Sequence, residues 1–159
     1  MTFLTTEDHE LAQVFLGNGH VVRAAEDLAG LARIRARAAE LAANHLRLEL
    51  TDDPNCLLNT IHERVGVEDL NALRLAVFNG LNMEPWFRPT YFSLAETLIE
   101  SLVGNELCMQ RRINLSIQMP NDESSLLPVH ADVWDGDSPF EVVLWVPLVD
   151  CFDTKAMYL

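Results

Sequence analysis

Lysine is almost missing from this chain: Lys155 is the only one among 11 basic residues, set against 24 acidic residues and a formal net charge of −13. Such a balance repels phosphate backbones and anionic bilayers, which excludes nucleic acid and membrane surfaces as expected partners. Cysteine is also scarce. Cys56, Cys108 and Cys151 are odd in number and form no CxxC pair, which excludes a disulfide framework and a zinc knuckle and fits a reducing compartment. The opening "MTFLTTEDHELAQVF" carries acids where a secretion signal needs a basic start. No apolar run approaches the ~18 residues of a membrane span, so the expected location is cytoplasmic. Stretches rich in Pro, Gly or Ser are lacking, as are repeats, which excludes a disordered linker or a repeat array.

What is present is an ordinary globular composition, 49% apolar and 22% charged over 159 residues, enough for one domain with one core. Residues 1–106 read as mainly helical. A Gly-Asn-Gly turn feeds a short β-branched strand at about 20 to 23, and an alanine- and leucine-rich helix follows from Ala24 to about Leu50. Leu31, Ile34, Ala38, Leu41, His45 and Leu48 draw its apolar stripe, so His45 is expected to be a packed core histidine. His62 is likewise expected to be structural. A second helix, about 68 to 80, turns Leu70, Leu73 and Val77 inward and stops near Gly80. "NMEPWFRPTY" then reads as a loop, whose Trp86, Phe87, Tyr91 and Phe92 are expected to be core rather than pocket lining. Ser93 and Glu96 form an S-x-x-E capping box that opens a third helix, with Leu94, Leu98 and Leu102 inward and Gly104 as its stop.

From Leu107 the hydrophobic period falls to two. Ile113, Leu115, Ile117 and Met119 share one face with Arg111. The polar Gln110, Arg112, Asn114, Ser116 and Gln118 share the other, a face that meets water or lines a wet cavity. "FEVVLWVPLVDCF" is apolar on both faces from Val142 to Val146 and predicts a strand buried on both sides, with Pro147 marking a bulge or edge. "KAMYL" reads as the start of a further strand. Helices first and strands last give an α+β order.

Between these strands stand His130 and Asp132. In extended chain, residues two apart project from one face, so an imidazole nitrogen and a carboxylate oxygen can meet on one metal ion. Two other readings compete: the pair is ordinary surface polarity, or Asp132, Asp135 and Asp137 of "DVWDGD" form a calcium loop, although the twelve-residue pattern with a closing glutamate is lacking.

The run "INLSIQMPNDESSLLPVHADVWDGDSPFEVVLWVPLVDC" resembles the Fe(II)- and 2-oxoglutarate-dependent oxygenases, in particular their phytanoyl-CoA dioxygenase-like branch and the oxygenases of bacterial carbohydrate-biosynthesis clusters. "FLGNGHVVRAAEDLAGLARIR" is similar to that branch's opening, a short strand and a long helix. The resemblance implies a double-stranded β-helix, or jelly roll, buttressed by the N-terminal helices, with residues 107–159 as the start of its sheet. It implies Fe(II) held by His130, Asp132 and a second histidine, three ligands that leave positions open for 2-oxoglutarate and dioxygen. It further implies that Asn114 and Gln118 face the cofactor or substrate, that Trp145 packs beside the cofactor, and that a small molecule, sugar-related by the likeness to the carbohydrate-cluster oxygenases, is hydroxylated. The family's second histidine and its 2-oxoglutarate-binding arginine come well downstream of the H-x-D pair, where this chain has only Lys155, a poor match for a carboxylate. The expectation is therefore the N-terminal part of an oxygenase, inactive alone, that self-associates through an unpaired sheet edge. The alternative is a non-catalytic jelly-roll module for binding or oligomerisation.

Overall fold

The computed structural model describes residues 5–49, 53–122, 130, 132–134, 136–138 and 140–156. Six α-helices run in order: α1 (Thr6–Asn18), α2 (Leu28–Leu46), α3 (Pro54–Asn59), α4 (Val67–Met83), α5 (Phe87–Ser93) and α6 (Glu96–Val103). Single 3-10 turns occur at Ile61–Glu63, Asp132–Trp134 and Asp153–Lys155. Among the described residues there is no β-strand, which overturns both the α+β class and the jelly roll.

The core is built on small side chains. On α2 the buried residues are Gly30, Ile34, Ala38, Ala39, Ala42 and Ala43, so its inner face is an alanine stripe with Leu41 packed at its edge and His45 turned out. His45 is exposed, which corrects its expected packing in the core. Alanine lets two helices approach closely, and Gly80 on α4 takes this further: a Cβ there would lie 2.5 Å from Leu41 Cδ2. Gly80 is therefore a point of close approach inside α4, which runs on to Met83, and not the expected stop. Leu70, Leu73 and Val77 are buried as read from the sequence, and Leu81 joins them.

Capping across the fold joins α2 to α6. Asp27 Oδ1 accepts from the Gly30 amide at 2.8 Å and caps α2, while its Oδ2 accepts from Ser93 Oγ at 3.0 Å. Next to it, the two Glu26 carboxylate oxygens accept from the Thr97 and Leu98 amides at 3.0 and 3.1 Å. The first turn of α6 is thus capped by a residue about 70 positions away. The expected Ser93–Glu96 capping box is not formed, because Ser93 ends α5 and turns to Asp27. Gly104 does end α6. The predicted strand at 20 to 23 is also not formed, and α2 starts at Leu28. Before it lies α1, which the sequence reading passed over. The signals were there: a Thr5–Asp8 capping box, and Gly19 at φ 75°, a left-handed backbone that suits glycine.

The segment read as an aromatic loop holds α5. Phe87 is buried, edge-on to Trp86 and Tyr91 with ring centroids 6.3 and 6.1 Å away, so these aromatics belong to the core.

The two segments predicted as strands keep their period without their partners. Ile113 is buried, Leu115, Ile117 and Met119 pack partly against the helical core, and the residues between them are exposed. Val142, Leu144, Val146 and Leu148 alternate in the same way with Val143 and Trp145, which are 53% and 54% exposed. The predicted two-sided burial is corrected to one side. Side chains from the helices occupy backbone groups that a neighbouring strand would use. Asn82 donates to the Ile113 carbonyl at 2.9 Å and accepts from its amide at 2.8 Å. Arg88 donates to the Met109 and Gln110 carbonyls, and the Tyr91 hydroxyl donates to the Leu144 carbonyl at 2.6 Å. Burial of Tyr91 raises its hydroxyl pKa to about 12, so it remains a donor at neutral pH.

Leu73 is fully buried in the α2–α4 contact, so Leu73→Ala should cost about 2–5 kcal/mol in urea unfolding. A loss below about 1 kcal/mol would mean that the contact is looser than described here. Partial burial raises the Glu26 carboxyl pKa, but the Thr97 and Leu98 amides lower it further, and the net shift is downward. Stability from such a group is present above its unfolded pKa and is lost as pH falls through the folded one. Wild-type Tm should therefore drop faster below about pH 4.5 than that of Glu26→Gln, which should be the less stable of the two at pH 7. Parallel Tm curves across that window would contradict the cap.

Candidate functional site

The His130–Asp132 pair sits beyond the helical core, in the connection between the two period-two segments. Asp132 opens the turn Asp132–Trp134, and the Gly136 and Asp137 amides close back on the Val133 and Asp132 carbonyls at 3.4 and 3.3 Å. Gly136 has φ 102°, a conformation that a side chain would strain. Tight backbone turning, rather than the start of a strand, thus presents the Asp132 carboxylate.

His130 Nε2 stands 3.5 Å from Asp132 Oδ1, with the two side chains 37% and 46% exposed. The sequence placed this pair at the start of a strand, whereas here a 3-10 turn opens at Asp132. Metal–ligand bonds of about 2.0–2.2 Å put neighbouring donors about 3.0–3.5 Å apart, so these two atoms can share an edge of one coordination shell. Two donors do not complete a site. No group of three or more His, Cys, Asp or Glu side chains among the described residues could hold a metal ion. The expected metal-binding constellation is therefore corrected to a pair among the described residues.

The remaining predicted site residues lie elsewhere on the surface. Asn114 and Gln118 are exposed on the outer side of the first segment, while its apolar alternates face the helices. Trp145 is half-exposed on the outer side of the second. No hydrogen bond joins any of them to His130 or Asp132 among the described residues. Of the calcium-loop aspartates, Asp135 lies outside the described residues. His62 Nε2 lies 3.9 Å from Glu63 Oε1 on the surface, without a second acid or histidine grouped there.

Two recesses mark the surface. One, of about 370 Å³, lies between α1, α6 and the second segment and is lined by Phe15, Leu102, Val103, Phe140, Glu141 and Val142. The other, of about 500 Å³, lies between α2 and the start of α3. Neither was anticipated from periodicity, because each is assembled from segments far apart in the chain. No helix among the described residues is long and apolar enough to cross a membrane. Compared with known protein families, curated proteins and solved structures, the chain matches none.

Proposed function

We propose that the chain supplies two ligands, His130 and Asp132, to the iron centre of a 2-oxoglutarate-dependent oxygenase acting on a small molecule. The observation that supports this reading is the 3.5 Å approach of His130 Nε2 to Asp132 Oδ1. Imidazole and carboxylate are the donor types of the facial triad in non-haem iron oxygenases, and when bound the metal would supply dioxygen activation. The pair itself would hold and orient the ion, and both side chains are open enough for an ion to reach them. On this reading the described residues bind metal without completing a catalytic centre. Anaerobic ferrous titration should show saturable binding that falls at least tenfold in the His130→Ala, Asp132→Ala double variant. The isolated chain should release little or no succinate from 2-oxoglutarate. Equal binding by wild type and the double variant would defeat the proposal.

A second reading, association with another copy, is favoured by a separate observation. Phe140 is 87% exposed, and Val143 and Trp145 stand out on the same segment. The backbone groups of Val142, Val143, Trp145 and Val146 form no hydrogen bonds among the described residues. Exposed apolar side chains beside unpaired backbone make a template for strand addition. Gel filtration at low micromolar concentration should give a dimer or larger species, shifted toward monomer by Trp145→Glu. A clean wild-type monomer would remove this reading.

A further inference from the structure

The side chain of Arg35 is unusual among the described cations. Its Nη2 donates to the Pro147 carbonyl across a long 3.4 Å; among the described residues its Nη1 meets no acceptor, and neither does its Nε, which is shut off from solvent. Arg47, Arg64 and Arg111 also lack a carboxylate partner, but they are exposed to water, whereas Arg35 is half-buried; other arginines are engaged elsewhere. Arg33 lies over the Trp86 ring, Arg88 donates to two carbonyls and Arg112 donates to Asn79, whereas Arg37 holds both Glu40 and Glu84. A guanidinium offers five donors in a fixed fork that matches a carboxylate, so the Nη1 donors left over at Arg35 are open to an anion, with Nη2 beside them.

Arg35 also forms part of the wall of the 500 Å³ groove, and the other described residues of that wall are nearly all apolar: Leu28, Leu31, Ala32 and Ala36 of α2, with Pro54 and Asn55 of α3. Leu28 is 68% exposed along it. The nearby Asp53 carboxylate accepts from the Asn55 amide at 2.9 Å, where it caps α3. One cation beside an aliphatic trough favours a ligand with one negative charge and a hydrocarbon body. The chain's net charge of −13 sharpens this choice, because long-range repulsion grows with ligand charge and works against phosphate or a dicarboxylate.

We propose that the groove between α2 and α3 binds an aliphatic monocarboxylate, with the carboxylate on Arg35 and the chain along Leu28, Leu31 and Ala32. The site is separate from His130 and Asp132 and does not depend on iron. The test is NMR observation of the Arg35 Nε–H resonance in the intact chain during titration with octanoate below its micelle threshold. Octanoate should shift that resonance saturably, with octanol and inorganic phosphate at least tenfold weaker. Affinity should fall at least tenfold in Arg35→Gln. It should fall comparably in Leu28→Asp, an exposed position where folding is not at stake. An unmoved Arg35 resonance, unchanged affinity in Leu28→Asp, or phosphate binding as tightly as octanoate would each overturn the site.

Discussion

The close approach of α2 and α4 is the constraint on which the rest of the structure depends. Alanine at positions 38, 39, 42 and 43 keeps much of the α2 face short, and Gly80 gives Leu41 room to lie against the α4 backbone. Because that contact is tight, the larger side chains Ile34, Leu73 and Leu81 interlock at fixed positions and are almost completely removed from water. The other helices and both C-terminal segments are arranged around this pair.

Polar groups then register the outer parts against the core. Glu26 and Asp27, adjacent in the chain, cap two different helices, so the entry to α2 and the start of α6 are tied together by two carboxylates. Asn82, Arg88, Tyr91 and, weakly, Arg35 do the same for the segments around Ile113, Leu144 and Pro147. These bonds bring the ends of the two segments onto the helical body, while His130 and Asp132, between those segments in the chain, stay exposed.

Much of the helical part was legible because helix formation and its apolar period are local. Leu70, Leu73 and Val77 were assigned inward from spacing alone and are buried. The errors fall where a distant group decides the outcome. Ser93 had the spacing of a capping box, but a carboxylate 66 positions earlier engaged it. Gly80 had the look of a stop, but a leucine from another helix needed the space. The Arg35–Pro147 contact spans 112 positions, and no local pattern announces it.

The sequence by itself determined which side chains of 113–119 and 142–148 turn inward, since alternation is a property of one extended chain. Only the tertiary structure decided what those segments lie against. Backbone pairing needs a second strand in register, and here the helices' own asparagine, arginine and tyrosine side chains take several of the groups that such a strand would use. An alternating sequence can thus fold onto a helical layer with one apolar face buried and no sheet formed among the described residues.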